Sequence, residues 1–165
     1  MGIIVTGEGP RSGTSAMMRL LLEQGWSPYE KAEKFPSYTA TEMNPEGYWD
    51  LSKEFVDNPT TINLKTEQCA KVWFPHFPCV VAPSVDLIII MYRKDWETQL
   101  GSIERCCEAE GIEFTLEAAE RSKRMTKFLA QACFPKCPIL LVETEELRRH
   151  PNSIISQIKE INKCQ

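Results

Sequence analysis

Hydrophobic positions fall into a few short blocks separated by polar and proline-rich stretches. "IIVT" at 3–6 is continuous, ends at Gly7 and predicts a buried first strand. "TSAMMRLLLEQG" at 14–25 carries apolar residues at helical spacing, with Gly25 as its stop. "VDLIIIMYR" at 85–93 is the clearest buried strand, a β-branched run of the kind a parallel sheet uses. "DWETQLGSIERCCEAEG" at 95–111 predicts a helix capped by Asp95, with Glu97 in its first turn. "TLEAAERSKRMTKFLAQACF" at 115–134 predicts another, capped by Thr115. "PILLVETEEL" at 138–147 opens as a second buried strand, and "PNSIISQIKEINK" at 151–163 is an amphipathic helix entered through Pro151. Residues 26–60, with Pro28, Pro36, Pro45 and Pro59, read as loops around short helices, and "AKVWF" at 70–74 as a short strand or a helix end.

Strands alternating with helices predict an α/β fold: a three-layer sandwich around a mostly parallel sheet, in a single domain over 1–165. Such sheets bind ligands at the carboxyl ends of their strands. The segments that matter are then Gly7 to Ser15, Arg93 onward and Glu143 onward.

Composition narrows this only a little. The chain has 165 residues, 42% apolar and 25% charged, with a net charge of −4. That balance suits one globular core and argues against disorder. A net negative chain is a poor nucleic-acid binder, so no nucleic-acid partner is expected. No run approaches a membrane span and no leader pattern is visible, so no membrane partner is expected either. "MGIIVT" fits the myristoylation pattern, but a strand at 3–6 would bury it. Seven cysteines, two histidines and no C-x-x-C argue against a zinc site. They point to reduced thiols and a cytoplasmic location. The vicinal Cys106–Cys107 pair reads as helix packing, with a redox switch as the alternative.

The chemistry sits in "GEGPRSGTS", residues 7–15. A glycine-rich turn between strand and helix can wrap backbone N–H groups around phosphate while the helix dipole faces the anion. Gly9 and Gly13 supply backbone freedom, Thr14 and Ser15 supply hydroxyls, and Arg11 offers a fork for an oxyanion. A nucleotide triphosphatase loop places lysine after its last glycine, and here Thr14 stands there. The strand at 87–92 ends in Arg93, which attracts a second anion rather than a metal.

"GPRSGTS" resembles the 5′-phosphosulfate loop of sulfotransferases. "NPEGYWD" (44–50), "INLKTE" (62–67), "IIIMYRKDWETQLGSI" and "PILLVETEELRRHPNSIISQIKEI" resemble further motifs of that family in the same order. The resemblance implies a P-loop fold and the donor 3′-phosphoadenosine 5′-phosphosulfate, with no metal. Gly9, Pro10, Arg11, Ser12, Gly13, Thr14 and Ser15 would hold the phosphosulfate. Arg93 would hold the 3′-phosphate, with Ser102 or Arg105 serving where Gly101 replaces the family's serine. Arg11 and Lys65 would stabilise charge on the bridging oxygen. Glu67, or else Asp50, would take the acceptor's proton. His76 reads as structural. The expected partner is a small hydroxyl or amine acceptor, for which Trp26, Tyr29, Phe35, Tyr38, Tyr48 and Trp49 could line a pocket. Two alternatives remain open: a sulfotransferase-like nucleotide-binding protein without catalysis, and a P-loop small-molecule kinase with Glu143 as its strand-end acid.

Overall fold

The computed structural model describes residues 1–9, 11–35, 48–111 and 113–163, with the backbone alone at Phe35, Tyr48, Cys106, Ala109 and Glu110. Five strands form one parallel sheet in the order β2-β5-β1-β6-β7. These are β1 (Ile3–Gly7), β2 (Ser27–Pro28), β5 (Gln68–Lys71), β6 (Leu87–Tyr92) and β7 (Ile139–Glu143). A separate antiparallel ribbon pairs β3 (Ala32–Phe35) with β4 (Tyr48–Leu51).

The period of two along β1 decides the layering. Ile3 and Val5 face one side, where α1 (Thr14–Glu23) and α6 (Pro151–Lys163) contribute Met17, Leu21, Ile154 and Ile158. Ile4 faces the other, against Phe77, Ala130 and Phe134. That layer contains α4 (Leu116–Cys133) and a 3-10 turn at Phe74–Cys79. Both faces of the sheet are covered, which is why Leu87–Met91 contains no exposed position.

The expected helix caps are present. Asp95 accepts from Thr98 N at the start of α3 (Trp96–Glu110), and Thr115 accepts from Ala118 N at the start of α4. Two expectations need correction. Residues 26–60 are not only loops with short helices; beside α2 (Lys53–Asp57) they hold β2, β3 and β4. And the strand expected within 138–147 is not fully buried. Among the described residues β7 is the sheet's edge strand, so Leu141 stays 44% exposed while Val142 is buried, and α5 (Thr144–Arg149) begins at once. An apolar run reports hydrophobicity, not whether a second neighbour exists.

Met1 is buried, Trp26 Nε1 donates to its carbonyl, and the Gly2 amide donates to Asp86. No helix among the described residues is long and apolar enough to cross a membrane.

Candidate functional site

β1 leads through α1 to one side of the sheet, whereas β6 leads through α3 and α4 to the other. The carboxyl ends of β1 and β6 therefore flank the crevice where ligands of open α/β sheets bind. The loop after Gly7 and the residues after Tyr92 meet there: the Glu8 amide donates to Met91 O at 2.9 Å.

The loop's shape depends on glycine at two places. A Cβ at Gly7 would stand 1.8 Å from Ser12 Oγ, so the chain folds back over its own start. Gly13 has φ +91°, and a Cβ there would lie 2.6 Å from Thr144 Oγ1. Arg11 itself takes φ 62°, a left-handed conformation that costs a non-glycine residue about 1–2 kcal/mol. Buried hydroxyls hold this form. Thr126 in α4 donates to Gly7 O at 3.0 Å, and Thr144 at the start of α5 donates to Ser12 O and Tyr92 O. Gln99 of α3 donates to Glu8 O at 3.1 Å.

Three features of this loop suit an anion. Gly13 is the N-cap of α1 and supplies no side-chain hydrogen bond, and the helix's first turn has no acid. Ser12 is fully buried and its Oγ has no hydrogen-bond partner among the described residues. Arg11 Nε donates to Ser102 Oγ at 3.2 Å, reaching from the loop to α3. Ser102 thus stands beside the loop's cation, and Gly101 next to it contributes only backbone. Thr14 is buried behind the helix start and Ser15 is half-buried, while Pro10 lies outside the described residues.

Arg93 follows β6 directly, with its side chain 15% exposed. Burial pulls its guanidinium below the ordinary value; Glu145 opposes that shift, and Arg148 and Arg11 add to it. Arg93 and Arg11 therefore share one field across the crevice. Beside them Lys94 bonds Glu143 at 2.6 Å, so the strand-end acid on which a kinase reading would rely is engaged by a cation.

Lys65 and Glu67 are not brought to this end. Glu67 N donates to Met1 O, and Cys69 stands opposite Ile3, so both precede β5 at the amino end of the sheet. Lys65 is exposed and paired with Glu30 at 2.8 Å. The lysine at the carboxyl end is Lys71, opposite Val5 and on the α1 face by its parity with Cys69. Its ammonium bonds Asp50 at 2.6 Å and lies over the Trp73 ring at 5.2 Å. Sequence reasoning passed over Lys71 because the apolar block around it hid where β5 ends.

The aromatic residues divide. Trp26 points to the amino end through its bond to Met1, and Tyr29 is buried in the core with its hydroxyl on Thr61 O. Trp49 packs against the α1 side. The Phe35 and Tyr48 side chains, Tyr38 and residues 44–47 of "NPEGYWD" lie outside the described residues. His76 packs edge-on against Phe55. A depression of about 300 Å³, lined by Pro59, Thr60, Thr61, Pro78 and Val81 among others, shares no residue with the crevice.

No protein-family model, curated protein or solved structure matches the chain.

Proposed function

We propose that the chain is a sulfotransferase with a P-loop fold, moving a sulfuryl group from 3′-phosphoadenosine 5′-phosphosulfate to a hydroxyl or amine acceptor. One observation carries the reading. An anion-ready loop, its arginine bonded to Ser102, and a partly buried arginine after β6 converge on a single crevice. Two separated cationic centres fit a donor with phosphate-type groups at both ends of a nucleoside.

In the reaction the acceptor oxygen or nitrogen attacks sulfur, the sulfur–oxygen bond to the 5′-phosphate breaks, and negative charge collects on the departing oxygen. Arg11 and the first-turn amides of α1 stabilise that charge. Lys71 takes the part expected of Lys65, because it stands at the correct end of the sheet. Asp50 receives the acceptor's proton in this scheme, with Lys71 holding the carboxylate in place. Glu67 drops out by position.

Calorimetric titration with 3′-phosphoadenosine 5′-phosphate tests the binding half: the wild type binds and Arg93→Ala binds at least tenfold more weakly. Absence of binding ends the proposal. Labelled-sulfate transfer, lost in Lys71→Ala and kept in Lys65→Ala, tests the catalytic half. A second reading, bisphosphate binding without transfer, is favoured by the Lys71 ammonium being already engaged by Asp50 and Trp73.

A further inference from the structure

The pair Arg93–Glu145 is unlike a finished salt bridge. Arg93 Nε lies 3.9 Å from Glu145 Oε1, too far for a hydrogen bond. Arg93 Nε and Glu145 Oε2 are both buried, and neither has a hydrogen-bond partner among the described residues. A buried arginine and carboxylate ordinarily meet through two parallel bonds that offset their loss of water. Here Nε and Oε2 are out of solvent and no hydrogen bond joins the two side chains. Glu145 is itself one-third exposed, so a rotation of its side chain carries it into solvent.

The charges around Arg93 are Arg11, Arg148, Asp95 and Glu145, and Glu145 acts on it more strongly than the other three. Resting on the proposed reading of this crevice, we infer that Glu145 is the specificity-determining residue of the Arg93 pocket. It occupies the anion's place when no anion is bound, and a phosphate monoester has to displace it. A phosphate dianion offers Arg93 more charge and proper hydrogen bonds, so it wins the exchange. A nucleotide with a free 3′-hydroxyl leaves the pair intact and donates a hydrogen bond to the carboxylate. Glu145 thereby moderates the preference for a 3′-phosphate, and by retaking Arg93 it hastens departure of the bisphosphate product.

The test compares wild type and Glu145→Gln by calorimetry, with 3′-phosphoadenosine 5′-phosphate and with adenosine 5′-phosphate. Removing one negative charge at this range strengthens bisphosphate binding about tenfold. Adenosine 5′-phosphate changes by no more than about twofold on the same grounds. Unchanged or weaker bisphosphate binding, or an equal gain for both ligands, overturns the inference. Melting in rising inorganic phosphate decides the matter independently of the nucleotide. Glu145→Gln is stabilised more than wild type, and the extra gain disappears in the Arg93→Met/Glu145→Gln double variant. Equal phosphate stabilisation of wild type and Glu145→Gln overturns the role of Glu145. A wild type that binds neither nucleotide overturns the sulfotransferase reading instead.

Discussion

Lys71 Nζ lies 2.6 Å from Asp50 Oδ2, tying the end of β5 to the β3–β4 ribbon through one largely buried ion pair. Removing one partner leaves the other charged and short of water. Asp50→Ala is expected to lower stability by about 2 kcal/mol, less than for a fully enclosed pair because Asp50 retains some solvent. The double variant Lys71→Met/Asp50→Leu recovers most of that loss. Urea denaturation of the three proteins checks it; a double variant weaker than Asp50→Ala contradicts it.

Gly13→Ala combines a left-handed backbone with a 2.6 Å approach to Thr144 Oγ1. The expected cost is about 3 kcal/mol, from backbone strain plus displacement of a buried neighbour. Gly25, with φ +99° and open space around its Cβ position, is the control. Gly25→Ala loses only the backbone term, about 1 kcal/mol, in the same melts.

Thr144 is fully buried and its hydroxyl serves the carbonyls of Ser12 and Tyr92. Thr144→Val keeps the shape and strands both acceptors, at about 2 kcal/mol. Because those carbonyls belong to the loop and to the end of β6, phosphate-dependent stabilisation falls as well. Thr144→Ser restores both readouts; failure of that rescue rejects the hydrogen-bonding role.

Burial pushes the Cys69 thiol up to about 12. A raised acid favours the protonated folded state, so its stabilising effect is complete below the unfolded value near 8.5 and fades as pH rises toward 12. Over that window wild type loses about 1.4 kcal/mol per pH unit that Cys69→Val does not. Denaturation midpoints at pH 8, 9.5 and 10.5 show the difference. Native Cys69 is also inert to a thiol reagent at pH 8, reacting only on unfolding.

The readable parts of the chain were those whose signal is local. Strands β1 and β6 and the caps Asp95 and Thr115 follow from their own residues, and so does the loop, since glycines at 7, 9 and 13 permit a tight turn that other residues resist. The misplaced parts depend on pairing partners. Lys65 and Lys71 flank the same short strand, and only the register of Cys69 against Ile3 says which lysine stands at the ligand's end. The exposure of Leu141 depends on β7 having no outer neighbour among the described residues, and Glu145 acquires meaning only once α5 places it against Arg93.

The central place of β1 has a consequence for how the protein is made. Ile3–Gly7 is made before Gln68–Lys71 and Leu87–Tyr92, the two strands that pair with it. Until those strands are made its ladder edges stay open, a natural period for chaperone attention. The loop waits longer, because the carbonyl of Ser12 meets its hydroxyl only when Thr144 arrives. The nascent chain thus carries the glycine loop well before Thr144, the residue that completes its shape.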